Sequence, residues 1–198
     1  MTETRERFIS AATKAFAERG FYGTSIAAIA DALPYTKQAL LHHFGSKEKL
    51  YAEVLKRISD RLMAELEGVR ERALDPRDRL EETFVEFYRT TIERPDDTQL
   101  LMRELLDNKR RAETSRTWYL KPFLESLVDM VVEEPSTNTR SRHVALAVVY
   151  QLLGAINYFA VSEPTLKRMF GGEEFSKLRG NYEAELRRLI AARLDSEQ

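Results

Sequence analysis

Three helix-ending residues, Gly20, Pro34 and Gly45, divide the first fifty residues into short helical segments that have to pack together to persist. Phe8, Ile9, Ala12, Ala15 and Phe16 recur at helical spacing before Gly20. Thr24 and Ser25 are N-cap residue types for a second segment, Ile26 to Leu33, with Ile26, Ile29, Ala30 and Leu33 on one face. Pro34 forces a turn, Thr36 caps a third segment to about Phe44, and Ser46 caps a long amphipathic helix carrying Leu50, Val54, Leu55, Ile58, Leu62 and Leu66. Two short helices joined by a tight turn and packed on a longer first helix make a helix-turn-helix.

At about 100° per residue, Leu40 and Phe44 of the third segment point together into the core, while Gln38 and His42 point the opposite way. Lys37 and Leu41 lie on one flank, Thr36 and His43 on the other. The outward strip of Lys37, Gln38 and His42 suits a helix lying in a DNA major groove, where such groups bond base edges and phosphates. Charge agrees: residues 1–57 hold nine Lys or Arg against six Asp or Glu, so a basic head precedes an acidic body although the whole chain is near neutral at −1.

His42 and His43 are adjacent and diverge by about 100°, and neither has a histidine one turn away, so no metal site is expected. His42 reads as a DNA contact; His43 reads equally as a phosphate contact or as a partly buried ring. Catalytic machinery is not expected either. The chain has no cysteine, hence no thiolate nucleophile and no disulfide framework, which favours a cytoplasmic setting. The charged N-terminus has no apolar secretory run. Gly171-Gly172 is followed by Glu173-Glu174, which repels phosphate, and the acidic pairs Glu81-Glu82 and Glu133-Glu134 read as solvated faces. No cofactor is implied.

The remainder reads as helices throughout, giving an all-α chain. Asp75-Pro76 opens a helix through Leu80, Phe84, Phe87 and Tyr88 to about Arg94-Pro95. A shorter segment with Leu100, Leu101, Leu105 and Leu106 follows, then a helix from Trp118 to Val132. From Val144 to Val161 only Gln151 and Asn157 are clearly polar, a run long enough to be weighed as a membrane span. With nothing else membrane-like in the chain, a helix covered by protein on every side is expected, ending before Pro164 and a short turn at 166–170. A last amphipathic helix carries Phe175, Leu178, Tyr182, Leu186, Leu189 and Ile190.

The run from Phe8 to Leu50 closely resembles the N-terminal domain of TetR-family transcriptional regulators. It includes Ala15-Phe16-Ala17-Glu18-Arg19-Gly20-Phe21, Thr24-Ser25-Ile26-Ala27-Ala28-Ile29-Ala30 and Leu40-Leu41-His42-His43-Phe44-Gly45-Ser46-Lys47-Glu48-Lys49-Leu50. The resemblance implies a DNA-binding domain over residues 1–57, with its motif at about 25–44, and an effector-binding and dimerisation domain over 58–198. It implies a homodimer through the last two long helices, a palindromic double-stranded DNA operator, and release by a small-molecule effector, most simply as a repressor. Carried over by position, Thr24, Ser25 and Lys47 meet phosphates, and Thr36, Lys37, His42 and His43 belong to the recognition helix. Pro34, Tyr35, Gln38 and Leu41 stand where the family usually has Gly, a small apolar residue, Gly and Tyr. Gln38 is able to read adenine and Leu41 to touch a thymine methyl, so an operator of its own is expected. On the helices that resemble the ligand-enclosing ones, Phe84, Phe87, Tyr88, Met102, Trp118, Phe123, Tyr150 and Tyr158, with Gln151 and Asn157 as polar groups, are candidates for an apolar or aromatic effector.

Overall fold

The computed structural model describes residues 3–72, 74–106, 119–134 and 141–195, and every regular element among them is an α-helix. These are α1 Glu3–Gly23, α2 Ile26–Asp31, α3 Lys37–Phe44, α4 Lys47–Arg70, α5 Pro76–Glu93, α6 Pro95–Leu106, α7 Lys121–Glu133, α8 Arg142–Phe170 and α9 Gly172–Asp195. The boundaries follow the side chains that cap them. Ser25 Oγ accepts the Ala28 N–H at 3.1 Å, Thr36 Oγ1 the Ala39 N–H at 3.1 Å, Ser46 Oγ the Lys49 N–H at 3.2 Å, and Asp75 Oδ1 the Asp78 N–H at 2.9 Å. Gly20, Gly45 and Gly171 adopt positive φ, with Gly20 interrupting α1 from within. Trp118 lies outside the described residues.

The chain forms two compact units, residues 1–60 with 94–119, and residues 61–93 with 120–198. In the first, α2 packs against α1 and α3, the His43 and Phe44 rings of α3 reach Phe8 of α1, and α6 also lies on α1. Its core joins Phe8, Phe16, Ile29, Leu40 and Leu50, all fully buried. The Phe16 and Phe21 rings meet Tyr51 of α4 at 4.8 and 5.0 Å, and Arg57 of α4 grips Glu6 of α1 through both guanidinium nitrogens.

In the second unit, α5, α7, α8 and α9 enclose Phe84, Leu127, Ile156 and Phe175. Tyr182 stacks on Phe159 with centroids 3.7 Å apart and on Tyr88 at 5.2 Å, and its hydroxyl donates to the Ala155 carbonyl at 2.8 Å. Three expectations change here. Glu134 is 5% exposed, so the pair Glu133-Glu134 is not a solvated face. Glu81 and Glu82 are not a solvated face: both are only a quarter exposed or less and bind Arg187 of α9 at 2.6 and 3.0 Å. Pro164 does not end its helix either. It removes one hydrogen-bond donor, yet Lys167 pairs with Glu163 at 2.6 Å across it, and Phe175 of α9 holds both sides, stacking on Phe159 before the proline and taking the Lys167 ammonium 5.3 Å from its ring centroid after it.

Helix α8 is long and apolar enough to cross a membrane by length and composition. One side is buried through Ala145, Val148, Val149, Leu152, Ile156 and Phe159. The opposite side is uncovered within the single chain, with Val144 43%, Tyr150 51% and Tyr158 73% exposed, so protein of this chain does not surround it.

Arg89 holds Glu183 bidentately, at 2.7 and 3.1 Å, and its hydrogen bond is the first cause holding the Glu183 carboxyl below the ordinary glutamate value. A carboxylate depressed by folding adds stability that is complete above about pH 4.5 and is lost as pH falls through the folded value. Glu183→Gln is therefore expected to lower the melting temperature at pH 7 by roughly 2–4 °C and to flatten its decline on acidification. Parallel declines for the two proteins below pH 4.5 would refute the assignment.

Candidate nucleic-acid interface

Helix α3 has eight residues, less than a self-sustaining length, so its position depends on what holds its inner face. Leu40 is fully buried and Phe44 is 7% exposed, each worth about 1.5–3 kcal/mol of burial. Phe44 meets the Phe8 ring edge-on at 6.3 Å, and the Arg5 guanidinium lies over its face at 5.1 Å. Arg5 is itself fixed to Glu53 at 2.9 Å, joining α1, α3 and α4 around one ring.

The outer face is polar. Thr36, Lys37, Gln38 and His42 are exposed along it, and Leu41 and His43 flank it half-buried. The His43 ring lies 5.8 Å from Phe8 and so belongs partly to the core, while the His42 ring stands nearly perpendicular to it. Among the described residues no third ligand joins the two in a metal-binding group. Tyr35 packs its ring 5.2 Å from Phe8 and accepts a hydrogen bond from Thr4, which gives this larger residue a packing role in the turn.

The phosphate candidates divide. Ser25 is an exposed cap, whereas Thr24 is buried, its hydroxyl within hydrogen-bond distance of the Ala15 carbonyl at 3.0 Å and the Gly20 carbonyl at 2.8 Å. Lys47 donates to the Phe21 and Thr24 carbonyls at 3.0 and 3.1 Å, with its ammonium 4.3 Å from the Phe21 ring centroid. Both side chains thus brace the turn between α1 and α2. The bracing is completed by Arg103 of α6, which sequence reasoning missed because it lies 86 residues from the carbonyl it binds and no local pattern marks it.

Residues 8–54 match the family described as bacterial regulatory proteins of the tetR family. The match to the TetR family is confined to this N-terminal segment. The regulator RutR of Escherichia coli K12 is 40% identical over 67 residues, which cover 34% of this chain and 32% of that one. The transcriptional repressor KstR2 of Mycobacterium tuberculosis H37Rv is 33% identical over 81 residues, 41% of this chain and 40% of its own. The chain therefore spans well under half the length of these curated relatives. Over nearly the full chain the fold matches FadR of Bacillus subtilis, solved with stearoyl-CoA, at a TM-score of 0.68 and 15% identity, covering 95% of this chain and 98% of that one. The matched segment includes the whole polar strip of α3.

The effector candidates are scattered. Phe84, Phe87, Tyr88 and Phe123 are buried, with the Phe87 and Phe123 rings 5.7 Å apart. Beside that pair a cleft among Leu62, Leu66, Val69 and Thr83 has a volume of about 10 Å³, the room of one water molecule at most. Asn157 is half-buried and donates to the Leu153 carbonyl at 2.8 Å. Tyr150, Gln151 and Tyr158 face outward, Met102 is half-buried on α6 in the first unit, and Trp118 is outside the described residues.

Exposure separates two tasks on α3. Gln38→Ala is expected to cost about 1–3 kcal/mol on the preferred duplex and blur one base position, while Lys37→Ala lowers the slope of log affinity against log salt by about 1 on every duplex. Binding titrations over a salt series check both, and a Gln38→Ala loss equal on random DNA would remove it as a base reader.

Proposed function

We propose that this chain is a ligand-responsive, DNA-binding transcriptional regulator that acts without catalysis in the cytoplasm. It binds a palindromic operator as a homodimer, with one α3 in each of two successive major grooves, and represses until a small apolar or aromatic effector enters the second unit. The observation that carries this reading is the strip of Lys37, Gln38 and His42, exposed on a helix held from behind by Leu40 and Phe44, within the segment that matches the TetR family. A helix that only covered a core would have no use for such a strip.

Dimerisation through α8 and α9 is supported by the apolar residues left uncovered there, which include Tyr158, Met169, Leu178 and Leu189. Two-fold pairing would set two recognition helices roughly 34–36 Å apart, one turn of duplex. An effector held at Phe87 and Phe123 would have to part their rings, because the cleft beside them has room for one water molecule at most. Sign and ligand class are supported by resemblance: KstR2 is a repressor, and FadR holds a long acyl thioester.

Selection of duplexes from a random pool by the purified chain tests the reading. The expected result is an inverted repeat bound by a species near twice 22.9 kDa. A monomer that retains no sequence over the input pool would contradict it.

A further inference from the structure

Gly20 breaks the ladder of α1 with φ 71° and ψ 174°, leaving carbonyls at the end of the first helical stretch in need of donors. Three side chains from three places supply them. Thr24, from within the turn, has its single hydroxyl proton within reach of the Gly20 carbonyl at 2.8 Å and the Ala15 carbonyl at 3.0 Å, and Lys47 of α4 binds the carbonyls of Phe21 and Thr24. Arg103 of α6 donates from Nε to the Ala17 carbonyl at 2.6 Å and from Nη2 to the Glu18 carbonyl at 2.8 Å. A planar guanidinium matches two successive carbonyls as a rigid fork and places a positive charge at the negative end of the helix dipole. Helix α6 is seated a second time by the Tyr51 hydroxyl, which donates to Glu104, while the Tyr51 ring packs on Phe16 and Phe21.

We propose that Arg103 is a positioning residue for DNA binding: by clasping the Ala17 and Glu18 carbonyls it fixes the direction in which the chain leaves Gly20, and so the placement of α2 and α3, without touching DNA itself. Gly20 is a single pivot with little torsional preference of its own, so its restraint has to come from what grips the carbonyls beside it. One residue after the last carbonyl held by Lys47, Ser25 caps α2, and α2 leads through four residues to the cap of α3 at Thr36. A rotation at Gly20 is thereby carried to Gln38 and His42. The unit that binds DNA accordingly includes α6, which lies beyond the segment matched to the family.

This inference rests on the DNA-binding reading, and the test keeps the two apart. The full chain, R103Q and R103K are titrated with the duplex that the wild type selects from a random pool and with a scrambled duplex of the same length, at 20 °C and over a salt series. R103Q is expected to bind the selected duplex at least about tenfold more weakly and the scrambled one within about twofold of wild type, with an unchanged salt slope, since only the fit to base edges is disturbed. R103K, which keeps the charge and one donor, recovers part of the loss. A chain that had merely lost stability, yet stayed folded at 20 °C, would keep its preference for the selected duplex. An R103Q that binds both duplexes as the wild type does, loses affinity for both equally, or shows a slope lower by one overturns the positioning role. A wild type that selects no duplex overturns the regulator reading and this inference with it.

Discussion

An eight-residue helix with an outer face of Lys37, Gln38 and His42 does not persist in water on its own, so everything that α3 can do depends on the burial of Leu40 and Phe44. Phe8 is the surface against which that burial happens. Its ring touches Tyr35, His43 and Phe44, so the turn, the flank and the end of α3 share one partner on α1. Arg5 closes the far side of Phe44 and is itself fixed to α4 through Glu53. The polar strip is affordable because each of its members is solvated, while the cost of ordering them is met by apolar contacts on the other side of the same helix.

That arrangement was legible because it is local. Caps at Ser25, Thr36, Ser46 and Asp75 and stops at Gly20 and Gly45 are decided within a turn of chain, and the spacing of Leu40 and Phe44 fixes which way Gln38 and His42 face. What the sequence could not disclose are pairings over long separations. Nothing near Arg103 announces the Ala17 carbonyl, and nothing near Glu81 or Glu82 announces Arg187, more than a hundred residues away. Pro164 misled for the related reason that a proline's local cost is offset by contacts with another helix, here through Phe159 and Phe175. The roles of Thr24 and Lys47 lie between these cases. Their presence at the turn was readable, but their commitment to carbonyls required the turn itself.

The second unit poses a different constraint. An aromatic at helical spacing serves a core or a cavity equally well, and composition does not separate them. Phe84, Phe87, Tyr88 and Phe123 proved buried, and the stack of Tyr88, Tyr182 and Phe159 is a core feature. Tyr150 and Tyr158 instead belong to the apolar side of α8 that this chain leaves bare. A second copy of the chain is the occupant that the proposed two-fold operator requires, and burial there would cover the exposed side of a helix that is long and apolar enough to cross a membrane.

The central claim is that α3 reads base edges in the major groove from two symmetric positions. Dimethyl sulfate footprinting on the selected duplex tests it directly, because guanine N7 lies in the major groove and adenine N3 in the minor groove. The account predicts guanine N7 protection at two sites centred roughly one helical turn apart, with adenine N3 between them still reactive. Protection confined to adenine N3, or at a single site, would contradict it.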